Sequence, residues 1–300
     1  LHLLKGCYNM GKYLTDKSSL DIPWIESPFF YKLLEQGNYT SAEREMLVKY
    51  HEDGYVVIDL NLSDEYIDQI RIDINARLAE GSVTSQASGY HYTENPRIFE
   101  AWQYSENVLE LARNKKICDT LEFLYNRKPK PFQTINFLYG SGQPLHQDSI
   151  HFYTQPQRWM VGTWTALEDV TPSNGPLNIV PGSHKWPHYD FHDLNLKTPK
   201  YGEQFENYAE YEQFLIDLVK AKGSEKKVWL GKKGQCLIWA ANLLHGGADI
   251  INTEESRFSQ ATHFYFEGCN HYYSPLFSDT RNGVYADKDL TTKNILEHKI

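Results

Sequence analysis

The pattern of apolar and polar positions divides the chain near residue 130. Before it, apolar residues recur at helical spacing. Thr40 and Glu43 have the spacing of a capping box, and the helix they open is expected to run to about His51, before Gly54. Tyr55-Val56-Val57-Ile58 is a short apolar run of strand character. Ser63 opens a second helix with Ile67, Ile70, Ile74 and Leu78 on one face, closed by Gly81. A third helix is expected over residues 107–125, with Leu111, Ile117, Leu121 and Leu124 inward. Residues 1–39 show no clear period and read as irregular.

After Pro131 the pattern turns strand-like, with turns marked by Gly and Pro. Strands are expected at 132–139, 144–149, 159–169, 177–180, 227–230, 235–240 and 257–267. Residues 185–226 break this pattern: they are long, polar and aromatic, with a helix expected over 206–220. The fold class that follows is mainly β, a jelly roll with helices packed before it. One domain is expected over 1–300. It has a helical part at 1–130, a core at 131–268 carrying the insertion 185–226, and a tail at 269–300.

Composition narrows the function classes. The charge sum is 30 − 39 = −9 with histidine neutral, and no basic run offsets it, which argues against nucleic acid as a partner. No apolar stretch approaches the roughly 20 residues needed to span a bilayer. The four cysteines (Cys7, Cys118, Cys236 and Cys269) are scattered with no CxxC pair, which points to a reducing, cytoplasmic setting and away from a zinc ribbon. Residues 1–14 lack the order of a signal peptide. The oligomeric state is not legible.

The chemistry begins at Leu145-His146-Gln147-Asp148. On extended backbone, side chains at i and i+2 share a face, so His146 and Asp148 present an imidazole and a carboxylate together. A second histidine would complete the set that holds non-haem Fe(II) and leaves positions open. His245 is the best candidate, lying just after an apolar strand and beside Gly246 and Gly247. Twelve residues on, Arg257 and Ser259 share a face and can grip one carboxylate, the guanidinium bidentately. Open metal positions with a carboxylate clamp nearby suit a 2-oxo dicarboxylic acid.

Taken in order, five motifs resemble the phytanoyl-CoA dioxygenase family: residues 146–152 (HQDSIHF), 174–177 (NGPL), 181–185 (PGSHK), 245–247 (HGG) and 257–259 (RFS). The resemblance covers about residues 131–268. It implies a double-stranded β-helix of the cupin-like kind, with Fe(II) and 2-oxoglutarate as cofactors. It also implies a dioxygenase that uses O2 to hydroxylate an unactivated C–H bond of a small molecule, with 2-oxoglutarate converted to succinate and CO2. His146, Asp148 and His245 match the iron ligands, and Arg257 the arginine on the distal carboxylate of 2-oxoglutarate, with Ser259 as helper. Gln133, Thr163 and Thr165 lie where relatives place polar contacts to the cosubstrate. Asp148 is retained where family halogenases carry a small residue, so hydroxylation is favoured over halogenation. No coenzyme A site is identifiable.

Each residue also has an ordinary structural reading. His151 reads as structural or substrate-facing, and Gln133 as a ligand contact or a satisfied core amide. His188, His192 and His263 read as surface or core, and Trp164, Trp239 and Phe264 as core. The aromatic insertion 185–226 suits a lid over the metal, with Trp186, and Tyr153 outside it, as substrate contacts. Two other function classes use the same residues differently. A cupin-like metal-dependent isomerase or epimerase would have no need of Arg257, and a carbohydrate-binding β-sandwich would leave the metal ligands idle.

Overall fold

A computed structural model describes residues 11–79, 97–199, 207–290 and Ile295. The helices are α1 (Lys12–Thr15), α2 (Phe30–Glu35), α3 (Ser41–Asp53), α4 (Asp64–Ala79), α5 (Glu106–Ala112), α6 (Lys115–Tyr125) and α7 (Tyr208–Ala221). The strands are β1 (Tyr55–Asp59), β2 (Arg97–Phe99), β3 (Pro129–Phe137), β4 (Tyr153–Gln155), β5 (Met160–Ala166) and β6 (Leu177–Ile179). They continue with β7 (Lys227–Trp229), β8 (Gln235–Ala240), β9 (His245–Gly247), β10 (Ser259–Phe266), β11 (His271–Tyr273) and β12 (Asp287–Asp289).

Local signals explain most boundaries. The capping box at Thr40 and Glu43 forms, and α3 ends at Gly54, whose φ of 80° lies in the left-handed region that glycine adopts without steric penalty. The chain then passes directly into β1. Helix α4 buries Ile67, Ile70 and Ile74, as their spacing requires. The single helix expected over 107–125 is two. Asn114 breaks it, because its side chain accepts from the backbone N–H groups of Lys116 and Ile117 and starts α6 afresh. Short helices α1 and α2 lie in the stretch read as irregular. The expected stop at Gly81 lies outside the described residues.

All strand pairs among the described residues are antiparallel. The large sheet runs β1-β8-β5-β10-β3-β2, and a smaller one β7-β6-β9. A third sheet, β12-β11-β4, joins the C-terminal part to the chain just after the HxD motif. The two faces of the large sheet have different partners. One face, with Val56, Ile58, Val161, Ile238 and Phe264, packs on the helices through Ile67, Ile74, Leu121 and Leu124. The other, with Trp164, Leu237, Trp239 and Ala261, faces Leu177, Ile179 and Trp229 of the smaller sheet. This is the jelly-roll arrangement, and the site lies between its sheets.

The strand expected over 144–149 is absent. His146 makes an isolated bridge to His245, and Asp148 begins a short 3-10 turn (Asp148–Ile150). Gln147 nevertheless has extended backbone, so the i, i+2 argument still holds for His146 and Asp148. Strands β2, β4, β9, β11 and β12, three residues each, were not legible as strands.

Candidate metal and cosubstrate site

His146 and His245 are tied together by reciprocal backbone hydrogen bonds, N to O of 2.9 Å and 3.0 Å, although 99 residues separate them. The glycines after His245 make this approach possible. A Cβ on Gly246 would lie 2.8 Å from the carbonyl oxygens of Gln143 and Pro144, and one on Gly247 2.9 Å from the Gly142 nitrogen. The Pro181-Gly182-Ser183-His184 motif braces the same region, since the Ser183 hydroxyl accepts from the Leu244 N–H at 2.8 Å.

The ligand atoms of His146, Asp148 and His245 all lie within 4.8 Å of one another, and all three residues are buried. Asp148 Oδ1 is 3.9 Å from His146 Nε2 and 3.8 Å from His245 Nε2. Each imidazole donates Nδ1–H to a backbone carbonyl, His146 to Pro144 at 3.0 Å and His245 to Leu243 at 2.9 Å, which leaves both Nε2 lone pairs facing the carboxylate. Burial holds the His146 pKa well below its ordinary value, with His245 adding to the shift and Asp148 opposing it. Burial pushes the Asp148 carboxyl up, but His245, His263, His146 and a hydrogen bond from Trp239 outweigh it and keep it below the usual carboxylate value. Neutral imidazoles and an ionised carboxylate are the states in which these groups bind a divalent ion.

These residues border an open cavity of about 1230 Å³. Arg257 borders it too, fully buried, with the Trp164 ring 5.1 Å and the Phe137 ring 5.8 Å from its guanidinium carbon. Its Nη1 donates to the Gly175 carbonyl and its Nη2, at 3.5 Å, to Tyr139. The Asn174-Gly175 turn therefore holds the guanidinium, and Asn174 anchors the turn by donating to Asp169 and Ser256 carbonyls. Two buried polar atoms here, Arg257 Nε and the Trp164 indole nitrogen, have no partner among the described residues; Ser259 Oγ is also buried and unpartnered, but Ser259 does not border the cavity. Buried polar groups are rarely left unpaired, so an acceptor from outside the chain fits this corner. Burial lowers the Arg257 pKa to about 9, Arg97 adds to the shift, and Glu168 opposes it.

The remaining expected residues divide. Gln133 lines the cavity, with its carboxamide oxygen accepting from His263 Nδ1 at 2.9 Å. His151 lines it as well, and burial pushes its pKa down to about 4. Thr163 and Thr165 do not. Trp164 takes the cavity side of β5, so its neighbours face the helices, and Thr163 donates to the Thr262 carbonyl. Tyr153 and Trp186 are also off the cavity. Tyr153 packs on His188 and Tyr273, and Trp186 joins a cluster with Phe191, Tyr211 and Leu215.

Of the insertion 185–226, expected as a lid, residues 200–206 lie outside the described residues. None of its described residues borders the cavity. Among its described residues, Trp186, Phe191, Tyr208, Tyr211 and Phe214 pack with Leu145, Ile150, Val180 and Leu244, behind the metal ligands, and Tyr208 stacks on the cavity residue His151 at 6.2 Å. Residues 97–104 and 272–289 contribute to the cavity wall instead. Sequence reading missed Arg97, Trp239 and His263. Trp239 donates to Asp148 Oδ2 at 2.8 Å, and His263 Nε2 lies 3.8 Å from that oxygen. A polar-tipped side chain in phase with Ser259 on β10 was the available signal for His263.

The comparisons agree with this geometry. Phytanoyl-CoA dioxygenase, peroxisomal, of Bos taurus is 22% identical over 97% of this chain and 90% of its own length. The crystal structure of EctD from S. alaskensis with bound Fe is 19% identical, covers 77% of this chain and 80% of its own, and superposes with a TM-score of 0.58. The non-heme alpha ketoglutarate dependent carbocyclase SnoK from nogalamycin biosynthesis is 16% identical, covers 88% and 98%, and has a TM-score of 0.62. The family model described as phytanoyl-CoA dioxygenase (PhyH) matches residues 50–259, a span that includes the metal ligands, Arg257 and Ser259, and this chain belongs to that family of iron- and 2-oxoglutarate-dependent oxygenases.

Proposed function

We propose that this protein is an Fe(II)/2-oxoglutarate-dependent dioxygenase that hydroxylates an unactivated C–H bond of a small molecule. The observation that carries the reading is one cavity bordered both by His146, Asp148 and His245, whose ligand atoms converge, and by Arg257, whose buried Nε has no partner among the described residues. His146, Asp148 and His245 would hold the iron on one side and leave the cavity side open. Arg257 and Ser259 would take the distal carboxylate of 2-oxoglutarate, with the Trp164 indole N–H as a further donor in that corner. The iron and its cosubstrate supply the oxidising power for C–H cleavage. His151 and Phe152 wall the space left for the primary substrate, and the buried surroundings limit water at the metal.

The likeness to the bovine dioxygenase favours hydroxylation, whereas SnoK is a non-heme alpha ketoglutarate dependent carbocyclase. Mass spectrometry separates the outcomes. With Fe(II), 2-oxoglutarate and 18O-labelled O2, hydroxylation adds one labelled oxygen to the substrate and to succinate. Epimerisation leaves the substrate mass unchanged, and ring closure lowers it by two hydrogens. Succinate formed without labelled substrate oxygen, when product is made, would refute the hydroxylase reading and retain the oxygenase.

A further inference from the structure

The two oxygens of Asp148 are treated differently. Oδ1 faces the Nε2 atoms of His146 and His245, whereas Oδ2 accepts from Trp239 Nε1 at 2.8 Å; His263 Nε2, 3.8 Å away, is beyond hydrogen-bond distance and carries a lone pair, its Nδ1–H being donated to Gln133. The groups around Oδ2 come from one row of the large sheet. Gln133, His263, Gly162 and Trp239 are register partners in turn across β3, β10, β5 and β8. Gln133 fixes the His263 ring through Nδ1 at 2.9 Å. Gly162 contributes by lacking a side chain. A Cβ there would lie 2.3 Å from Trp239 Cε2 and 2.6 Å from its Nε1, so only glycine lets the indole lean across β5 toward the carboxylate.

A carboxylate binds a metal through one oxygen or through both, and binding through both takes a further coordination position. A site that must also accept two atoms of a 2-oxo acid and O2 needs that position free. We propose that Trp239, given room by Gly162, is a positioning residue that reserves Oδ2 of Asp148 and leaves Oδ1 alone as the metal ligand. The inference rests on the metal reading of the site. Trp239 acts through Asp148, and Gly162 acts through Trp239.

Two variants of the full chain test it. Trp239→Phe keeps the ring and removes the N–H, and Gly162→Ala keeps the indole and displaces it. Fe(II) affinity is titrated anaerobically, 2-oxoglutarate affinity is measured on the Fe(II)-loaded protein, and visible spectra are recorded with Co(II) as the probe metal. Loss of a hydrogen-bonding partner behind a metal ligand typically weakens metal binding or activity 10- to 100-fold. Trp239→Phe should therefore bind Fe(II) or 2-oxoglutarate roughly 10-fold more weakly, with altered Co(II) bands. The metal-free protein should melt within a few degrees of wild type. Gly162→Ala should follow it. If Trp239→Phe keeps wild-type affinities and Co(II) spectrum, the indole is packing alone and the inference is overturned, whether or not Gly162→Ala folds. A wild-type protein that binds neither Fe(II) nor Co(II) would instead overturn the metal reading itself.

Discussion

Arg257→Met separates two properties of one buried cation. In the cosubstrate-free protein the guanidinium meets backbone carbonyls and two aromatic rings, and its pKa falls to about 9, chiefly through burial. A drop of that size corresponds to about 5 kcal/mol held against the charged form. The sign is that of a base with a depressed folded pKa. The penalty is present at neutral pH, where both folded and unfolded states carry the proton, and fades only at strongly alkaline pH. Methionine removes it, but leaves the Gly175 and Tyr139 carbonyls without their donor, at about 1–3 kcal/mol each. The two effects are comparable, so metal-free Arg257→Met should melt within a few degrees of wild type. Cosubstrate binding should respond quite differently. A charge-assisted hydrogen bond from Nε contributes about 1.5–3 kcal/mol, so 2-oxoglutarate should bind roughly 10- to 100-fold more weakly. Calorimetry on anaerobic Fe(II)-loaded protein gives the constant directly. Thermal melts at a cosubstrate concentration of about 100 times the wild-type Kd supply a second readout, since wild type gains about 2.7 kcal/mol there. An unchanged Kd would move the carboxylate clamp elsewhere. A collapse in metal-free stability would make Arg257 a structural residue.

Three further predictions are independent of that one. Asp148→Ala should abolish Fe(II) binding and succinate formation while the circular dichroism spectrum stays that of wild type, because the sheet core is built from other residues; anaerobic titration checks it. Trp186→Ala should lower the urea midpoint but leave the substrate KM unchanged, since its neighbours are in the cluster behind the metal ligands. His184, outside the metal site, has its pKa pushed down to about 3 by burial, with Lys185 adding to the shift and a bond to the His51 carbonyl at 3.1 Å opposing it. The unfolded chain therefore takes up a proton there below about pH 6.5 that the folded chain refuses. Stability should fall by about 2 kcal/mol between pH 6.5 and 5 from this group alone, and urea midpoints of metal-free His184→Gln should show a shallower acid loss than wild type.

The sequence by itself determined whatever depends on near neighbours or on motif order. The capping box at Thr40, the inward faces of α4 and α6 and the strands β3, β5, β8 and β10 follow from side-chain period and local hydrogen bonding, which act within a few residues. The convergence of His146, Asp148 and His245 was legible because each motif is short and its chemistry is carried by residue type. Only the tertiary structure decided which side of a strand faced the cavity. A period of two gives two faces without naming them, and Trp164 rather than Thr163 or Thr165 took the inner one because the register with β8 and β10 put it there. Aromatic richness in 185–226 likewise indicated surface that must be covered but not by what. Phe191, Tyr208 and Tyr211 covered the back of the metal-bearing segments. The environment of Asp148 was the least legible feature. It depends on Gln133, Gly162, Trp239 and His263, which share a row only because four strands align, and residues so far apart in the chain meet through long-range pairing that no local pattern encodes.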